Sequence, residues 1–113
     1  MDTEIFGEMD PFVVIQYKTQ KERTKTVEGG GKNPKWKNEK FEFKIEQLTD
    51  KITFRCFDED SIVDDDLGEL TVAVKFLFAE GTTSSECLKL KYKGKASCDL
   101  YIITKYDSLE KKS

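Results

Sequence analysis

The sequence contains no histidine. That absence removes His-based catalytic triads, the common zinc sites and the ordinary pH switch near neutrality. Two prolines and seven glycines in 113 residues exclude a low-complexity linker. The three cysteines, Cys56, Cys87 and Cys98, make an odd count, and no two have the C-x-x-C spacing of a zinc or redox site. Cys56 alternates with Ile52 and Phe54, which is the position of a small buried apolar residue. No stretch approaches the ~20 apolar residues that cross a bilayer. The start, MDTEIFGEMDP, has neither a basic n-region nor an apolar run, so no secretory signal is expected there. A reducing, cytosolic setting is the default expectation.

What is present is a chain of 13.0 kDa, the size of one domain. Charged residues make up 36 %, but eight Phe, four Tyr and one Trp argue against disorder. The net charge of -3 hides a segregation. Between Tyr17 and Lys44 there are nine Lys or Arg against four Glu. Between Asp58 and Glu69 there are seven carboxylates and no basic residue. Such blocks commonly just solvate a surface. Two blocks of opposite sign in one small domain suggest two sites, one for cations and one for anions.

The apolar period is two almost throughout. It predicts strands at Phe12–Tyr17, Arg23–Val27, Phe41–Ile45, Ile52–Phe57, Leu70–Val74, Leu88–Tyr92 and Leu100–Ile103. Turn residues separate them at 28–34, Thr49-Asp50, Glu80-Gly81 and Lys93-Gly94-Lys95. Only Lys75–Glu80 suits a helical turn. About seven short strands point to an all-β, antiparallel β-sandwich occupying residues 1–107, with a polar tail at 108–113.

The acidic loop joins the strand ending at Phe57 to the one starting near Leu70. Clustered carboxylates repel one another unless each points into water or something offsets the charge. A hard divalent cation is the natural offset, and Ca²⁺ accepts several oxygens with loose geometry. An EF-hand fits poorly, because its glycine position falls on Val63 and the flanks read as strands. An Asp-x-Asp nucleophile of the haloacid-dehalogenase type is weak as well, since no α/β pattern follows Asp58-x-Asp60. No nucleophile–base pair can be named without histidine, so no enzyme is expected. Ile62 and Val63 sit among these carboxylates, and Ile5, Phe6 and Met9 sit beside Glu4, Glu8 and Asp10. Apolar tips beside acidic clusters suit insertion into a membrane interface once a cation cancels the charge. One large side chain so buried contributes roughly 1.5–3 kcal/mol.

On the basic side, Lys21, Arg23 and Lys25 are spaced by two and share one strand face. Lys40 and Lys44 share the face opposite Phe41, Phe43 and Ile45. If these strands lie in one sheet they form a basic face, where each cation contributes ~1 kcal/mol near an anionic membrane. The aromatics alternate inward, so the stacking platform of a nucleic-acid binder is not supported. The Gly-Gly-Gly turn lacks a following Lys-Ser/Thr and is no P-loop.

These residues, taken in order, resemble the C2 domain family. The match runs through Asp10-Pro-Phe-Val, the basic strand ending Lys25-Thr26, Asn33-Pro-Lys-Trp36, Phe41-Glu-Phe43, Asp58-Glu-Asp60 and Asp65-Asp66-Leu-Gly68-Glu69. It looks most like the small single-domain C2 proteins of the elicitor-responsive kind. The resemblance implies an eight-stranded antiparallel sandwich whose loops at one end bind Ca²⁺ and dock on phospholipid. It implies metal ligands at Asp10, Asp58 and Asp60, with Asp65 as the last third-loop ligand and Asp66 as its rival. Glu4 falls where the family has the first Asp of the first loop. The family also begins with an apolar strand that this chain lacks before Glu4, leaving about seven of eight strands. Open edges would follow, and with them low stability, dimerisation or a partner strand.

The expected function is a calcium-dependent phospholipid-binding module acting in signalling or membrane trafficking, cytoplasmic and reversibly peripheral on membranes. Phe6, Ile62 and Val63 would insert, while Lys21, Arg23, Lys25, Lys40 and Lys44 would meet anionic lipid or a partner. The alternative is a calcium-independent protein-interaction module using the basic face or an open sheet edge.

Overall fold

Alternation of apolar and polar side chains decides where the strands lie. The computed structural model describes residues 10–27, 36, 39–59, 65–78 and 83–107. Six strands form: β1 (Pro11–Tyr17), β2 (Gln20–Arg23), β3 (Lys51–Asp58), β4 (Asp65–Ala73), β5 (Thr83–Tyr92) and β6 (Lys95–Lys105). They make one antiparallel sheet in the order β2-β1-β3-β4-β5-β6. A short 3-10 turn, Val74–Phe78, follows β4 and takes the place of the helical turn expected there. The chain is therefore all-β and antiparallel, as its periodicity predicts. The proposed tail at 108–113 lies outside the described residues.

Within β3, Ile52, Phe54 and Cys56 are buried while Lys51 and Arg55 are exposed. The register sets Val13 against Cys56 and Ile15 against Phe54, so one face of β1 and β3 turns inward together. From the other half, Leu88, Leu90 and Leu100 join the same core cluster. Among the described residues, the two halves share one ladder pair, Glu69 with Lys91. The sheet folds over at that line, and the Cys98 sulfur on β6 comes within 3.5 Å of where a side chain on Gly68, the ladder partner of Cys56, would begin. Two facing layers thus enclose one core, which is how a sheet with one apolar face hides it.

β5 and β6 are joined at Lys93-Gly94, where both residues have positive φ (53° and 82°). This is the signature of a type I′ turn, whose twist matches the strands it connects. Glycine supplies the second position without steric cost.

Two expected strands come out differently. Residues 41–45 keep the predicted alternation, with Phe41, Phe43 and Ile45 half-buried and Glu42 and Lys44 exposed, but they form no strand. The Gln20 side chain occupies the backbone there. Its Oε1 accepts the Lys44 N–H and its Nε2 donates to the Lys44 carbonyl, each at 2.8 Å. An amide side chain satisfies one residue and cannot propagate a ladder. The second strand stops at Arg23 instead of reaching Val27, because Thr24 Oγ1 accepts the Val13 N–H at 3.0 Å. A side chain again takes the place of a backbone acceptor.

Tyr17 is fully buried at the end of β1. Its hydroxyl donates to Asp50 Oδ2 at 2.5 Å and accepts the Glu46 N–H at 2.7 Å. That donated bond, helped by the Lys18 ammonium 3.4 Å away, holds the Asp50 carboxyl below its ordinary range. A depressed carboxyl stabilises the fold above its unfolded-state pKa and loses that contribution as pH falls through its folded value. Tyr17→Phe leaves the Glu46 N–H without its acceptor and frees Asp50. We expect it to cost about 1–3 kcal/mol at neutral pH. The gap to the native protein should narrow as pH falls to about 3, below the ordinary carboxyl range and toward the lower folded value of Asp50. Urea unfolding at the two pH values checks both statements.

Candidate cation and anion sites

Register alone brings carboxylate-bearing residues to one end of the sheet. Pro11 pairs with Asp58, and Asp58 pairs with Asp65. Asp10 therefore enters β1 beside the last residue of β3, which has the first residue of β4 on its other side. The Asp10 N–H donates to Asp58 Oδ1 at 2.8 Å, and the Glu59 N–H donates to the Asp10 carbonyl at 2.9 Å. These bonds pin the first acidic segment to the last residues of β3, and both Asp10 and Asp58 are half-buried.

The register distinguishes Asp65 from Asp66. The β3–β4 register shifts between Cys56 and Phe57: Cys56 pairs with Gly68, then Phe57 pairs with Asp66. The extra residue, Leu67, is a bulge of the kind that re-aims side chains beside functional loops. Asp65 consequently stands across from Asp58. Asp66 stands one position on, exposed, with its Oδ1 accepting the Gly68 N–H at 3.1 Å. Gly68 itself is demanded by packing. A Cβ there would collide with Ser97 Oγ and lie 3.2 Å from Leu90 Cβ.

Glu4, Asp60, Phe6, Ile62 and Val63 lie outside the described residues. Among the described residues, no three His, Cys, Asp or Glu side chains converge as a metal-binding group. Asp10 and Asp58, joined through the Asp10 N–H, both carry carboxylates, which are hard oxygen donors. That chemistry fits Ca²⁺ or Mg²⁺ and does not favour a softer transition metal.

The basic residues divide into separate groups. Lys21 lines a shallow groove on the outward face of the sheet, with Lys18, Lys51 and Arg55 around it and Val14, Gln16 and Thr53 on its floor. Lys18 is engaged with Glu46 at 2.7 Å, which raises its pKa, and Arg55 with Glu69 at 3.3 Å. Lys21 and Lys51 have no ion pair among the described residues. They are the two uncompensated cations of the groove. Lys51 and Arg55 were not singled out from the sequence, although their alternation with Ile52 and Phe54 places them outward. Lys40 and Lys44 are exposed on the segment held by Gln20 and do not line the groove.

Arg23 is committed elsewhere. Its guanidinium lies 3.7 Å from the centroid of the Phe12 ring, 3.3 Å from Glu59 Oε1 and 3.1 Å from Thr26 Oγ1. Phe12 stacks on Phe57 with ring centroids 5.3 Å apart. Arg23 thus caps an outward aromatic pair and braces the residue after Asp58, so its charge is largely spent within the domain. Lys25 is exposed, and its backbone is tied on both sides. Its N–H donates to Glu39 Oε2 at 2.9 Å and its carbonyl accepts Trp36 Nε1 at 2.8 Å.

Comparison with known proteins agrees with this layout. The family model for the C2 domain matches residues 1–90. The 16 kDa phloem protein 2 of Arabidopsis thaliana is 34 % identical over 82 residues, covering 72 % of this chain and 55 % of that protein. The chain spans about half the length of the curated relatives it matches. A solved C2 domain-containing protein from a putative elicitor-responsive gene superposes with a TM-score of 0.79 at 25 % identity, covering 99 % of this chain and 82 % of that one. The calcium-bound pair of C2 domains from extended synaptotagmin 2 superposes with a TM-score of 0.67 at 26 % identity, covering 88 % of this chain and 36 % of that one.

Proposed function

This chain belongs to the C2 domain family, and we propose that it is a calcium-dependent module for anionic phospholipid membranes, serving signalling or membrane trafficking. The observation that carries this reading is the register that sets Asp10 and Asp65 beside Asp58. Asp10, Asp58, Asp60 and Asp65 would hold the ion, with Glu4 and Asp66 as further oxygen donors. When bound, Ca²⁺ cancels their mutual repulsion and offers a positive charge to headgroup phosphate. Phe6, Ile62 and Val63 then enter the interface, and Lys21 and Lys51 add attraction that salt screens. The module is cytoplasmic and reversibly peripheral on this reading, and its role is binding rather than catalysis.

Sedimentation with liposomes tests it, comparing phosphatidylserine-containing with neutral vesicles, each with Ca²⁺ and with chelator. We expect binding only where Ca²⁺ and anionic lipid are both present. Lys21→Ala with Lys51→Ala should weaken that binding by about 2 kcal/mol, near thirtyfold, without removing the calcium requirement. Equal binding with and without Ca²⁺ would defeat the proposal.

One observation favours a second reading. β6 ends the sheet and exposes Tyr101 and Ile103, at 75 % and 79 %. An outer strand with apolar side chains suits a calcium-independent protein partner that docks by strand addition. Partner binding that persists in chelator would support it.

A further inference from the structure

Cys56 and Cys98 are far apart in sequence and meet only because the sheet folds over. Cys56 is buried on the inward face of β3, between Phe54 and the bulge. Cys98 is part-buried on the inward side of β6, where it pairs with Leu90 and alternates with Leu100. The Cys98 sulfur lies 3.9 Å from Ser97 Oγ and faces, across the seam, the ladder pair of Cys56 with Gly68. Room for the pair comes from Gly68, the ladder partner of Cys56. Its missing side chain would sit 3.5 Å from the Cys98 sulfur. The third cysteine takes no part. Cys87 is exposed, paired with Tyr101, and one residue before the inward-facing Leu88.

We propose that Cys56 and Cys98 form an oxidative modification site, closing to a disulfide between the two layers when the protein meets hydrogen peroxide. Cys98 is the attacking sulfur, because it is the more accessible of the two. Its thiolate attacks one peroxide oxygen and the O–O bond breaks. Cys98 sulfenic acid forms, and the departing hydroxide leaves as water. The Cys56 sulfur then attacks the Cys98 sulfur. The S–S bond forms as the S–O bond breaks, and the hydroxyl leaves with the Cys56 proton as a second water. Two thiols lose two electrons and one peroxide gains them. The product would tie the strand that ends in Asp58 to the opposite layer, where one ladder pair joins the halves. The proposal is independent of the calcium reading.

The test treats the folded, reduced protein with hydrogen peroxide, alkylates the remaining thiols and measures intact mass and a non-reducing tryptic map. We expect a monomer lighter by two hydrogens, with Cys87 alone alkylated. Peptide Cys56–Lys75 should be linked to Ala96–Lys105, and dithiothreitol should restore all three thiols. Cys87→Ser should keep the loss of two hydrogens, and Cys98→Ser, checked for folding by circular dichroism, should not show it. The wild-type map decides the matter if that variant fails to fold. Oxygen added at Cys98 with Cys56 still alkylatable would overturn the proposal, as would linkage through Cys87.

Discussion

Asp58→Asn combined with Asp60→Asn is expected to abolish the stabilisation that Ca²⁺ confers on this domain. A ligand that binds only the folded chain, present at a hundred times its dissociation constant, stabilises by about 2.7 kcal/mol. For a domain of this size that corresponds to a rise in Tm on the order of 10 °C. Asparagine is the informative replacement at Asp58. Its side-chain oxygen can still accept the Asp10 N–H, so the bond that pins the first acidic segment survives while the charge is lost. The metal-free variant should therefore melt at or slightly above the native protein in chelator, since like charges have been removed. Differential scanning fluorimetry with Ca²⁺, with Mg²⁺ and with chelator reads both effects. A native protein whose Tm ignores Ca²⁺ would remove the cation from the account.

Leu90→Ala is expected to be the most damaging single core change, at about 2–5 kcal/mol by the usual range for a buried leucine. Leu90 has no exposed surface. It faces inward on β5 near the fold line, and its Cβ is 3.2 Å from where a side chain on Gly68 would begin. The Ser97 hydroxyl donates to its carbonyl at 3.1 Å, which holds the backbone on the β6 side of the same contact. Truncation leaves a void that neither layer can fill without moving a hydrogen-bonded strand. Urea unfolding would show a lower midpoint with an unchanged slope. A cost below about 1 kcal/mol would mean that the layers can close over the gap.

Much of this was legible in the sequence because burial on one face writes itself as period two. Ile52, Phe54 and Cys56 predict β3 and its inward face together, and Lys93-Gly94 predicts the hairpin turn. The carboxylate end was legible too, as a charge block between two strands. What stayed hidden are events of register and exchange. The bulge at Leu67 sets Asp65 rather than Asp66 across from Asp58, and no local composition announces which residue a bulge will skip. Residues 41–45 carry the pattern of a strand but find a glutamine side chain in place of a ladder. Arg23 reads as a surface cation and turns out to cap Phe12, because its neighbours come from a strand paired through a two-residue turn and from Glu59. The meeting of Cys56 with Cys98 depends on where the sheet folds, and spacing rules cannot see it.

The single ladder pair between β4 and β5 has a consequence for how the domain opens. Amide protons within β5 and β6 are shielded by a long mutual register, as are those shared by β1, β3 and β4. Among the described residues, these two blocks are joined by that pair, by the Thr104 hydroxyl on the Leu77 carbonyl and by the apolar side chains of the core. Separating them sacrifices almost no backbone hydrogen bonding and exposes most of the interior at once. The cheapest large-scale opening is thus a parting of two intact blocks, not a fraying of strands. Hydrogen exchange would then report two protected groups of amides, while solvent entered along the seam that Leu90 and the paired thiols occupy.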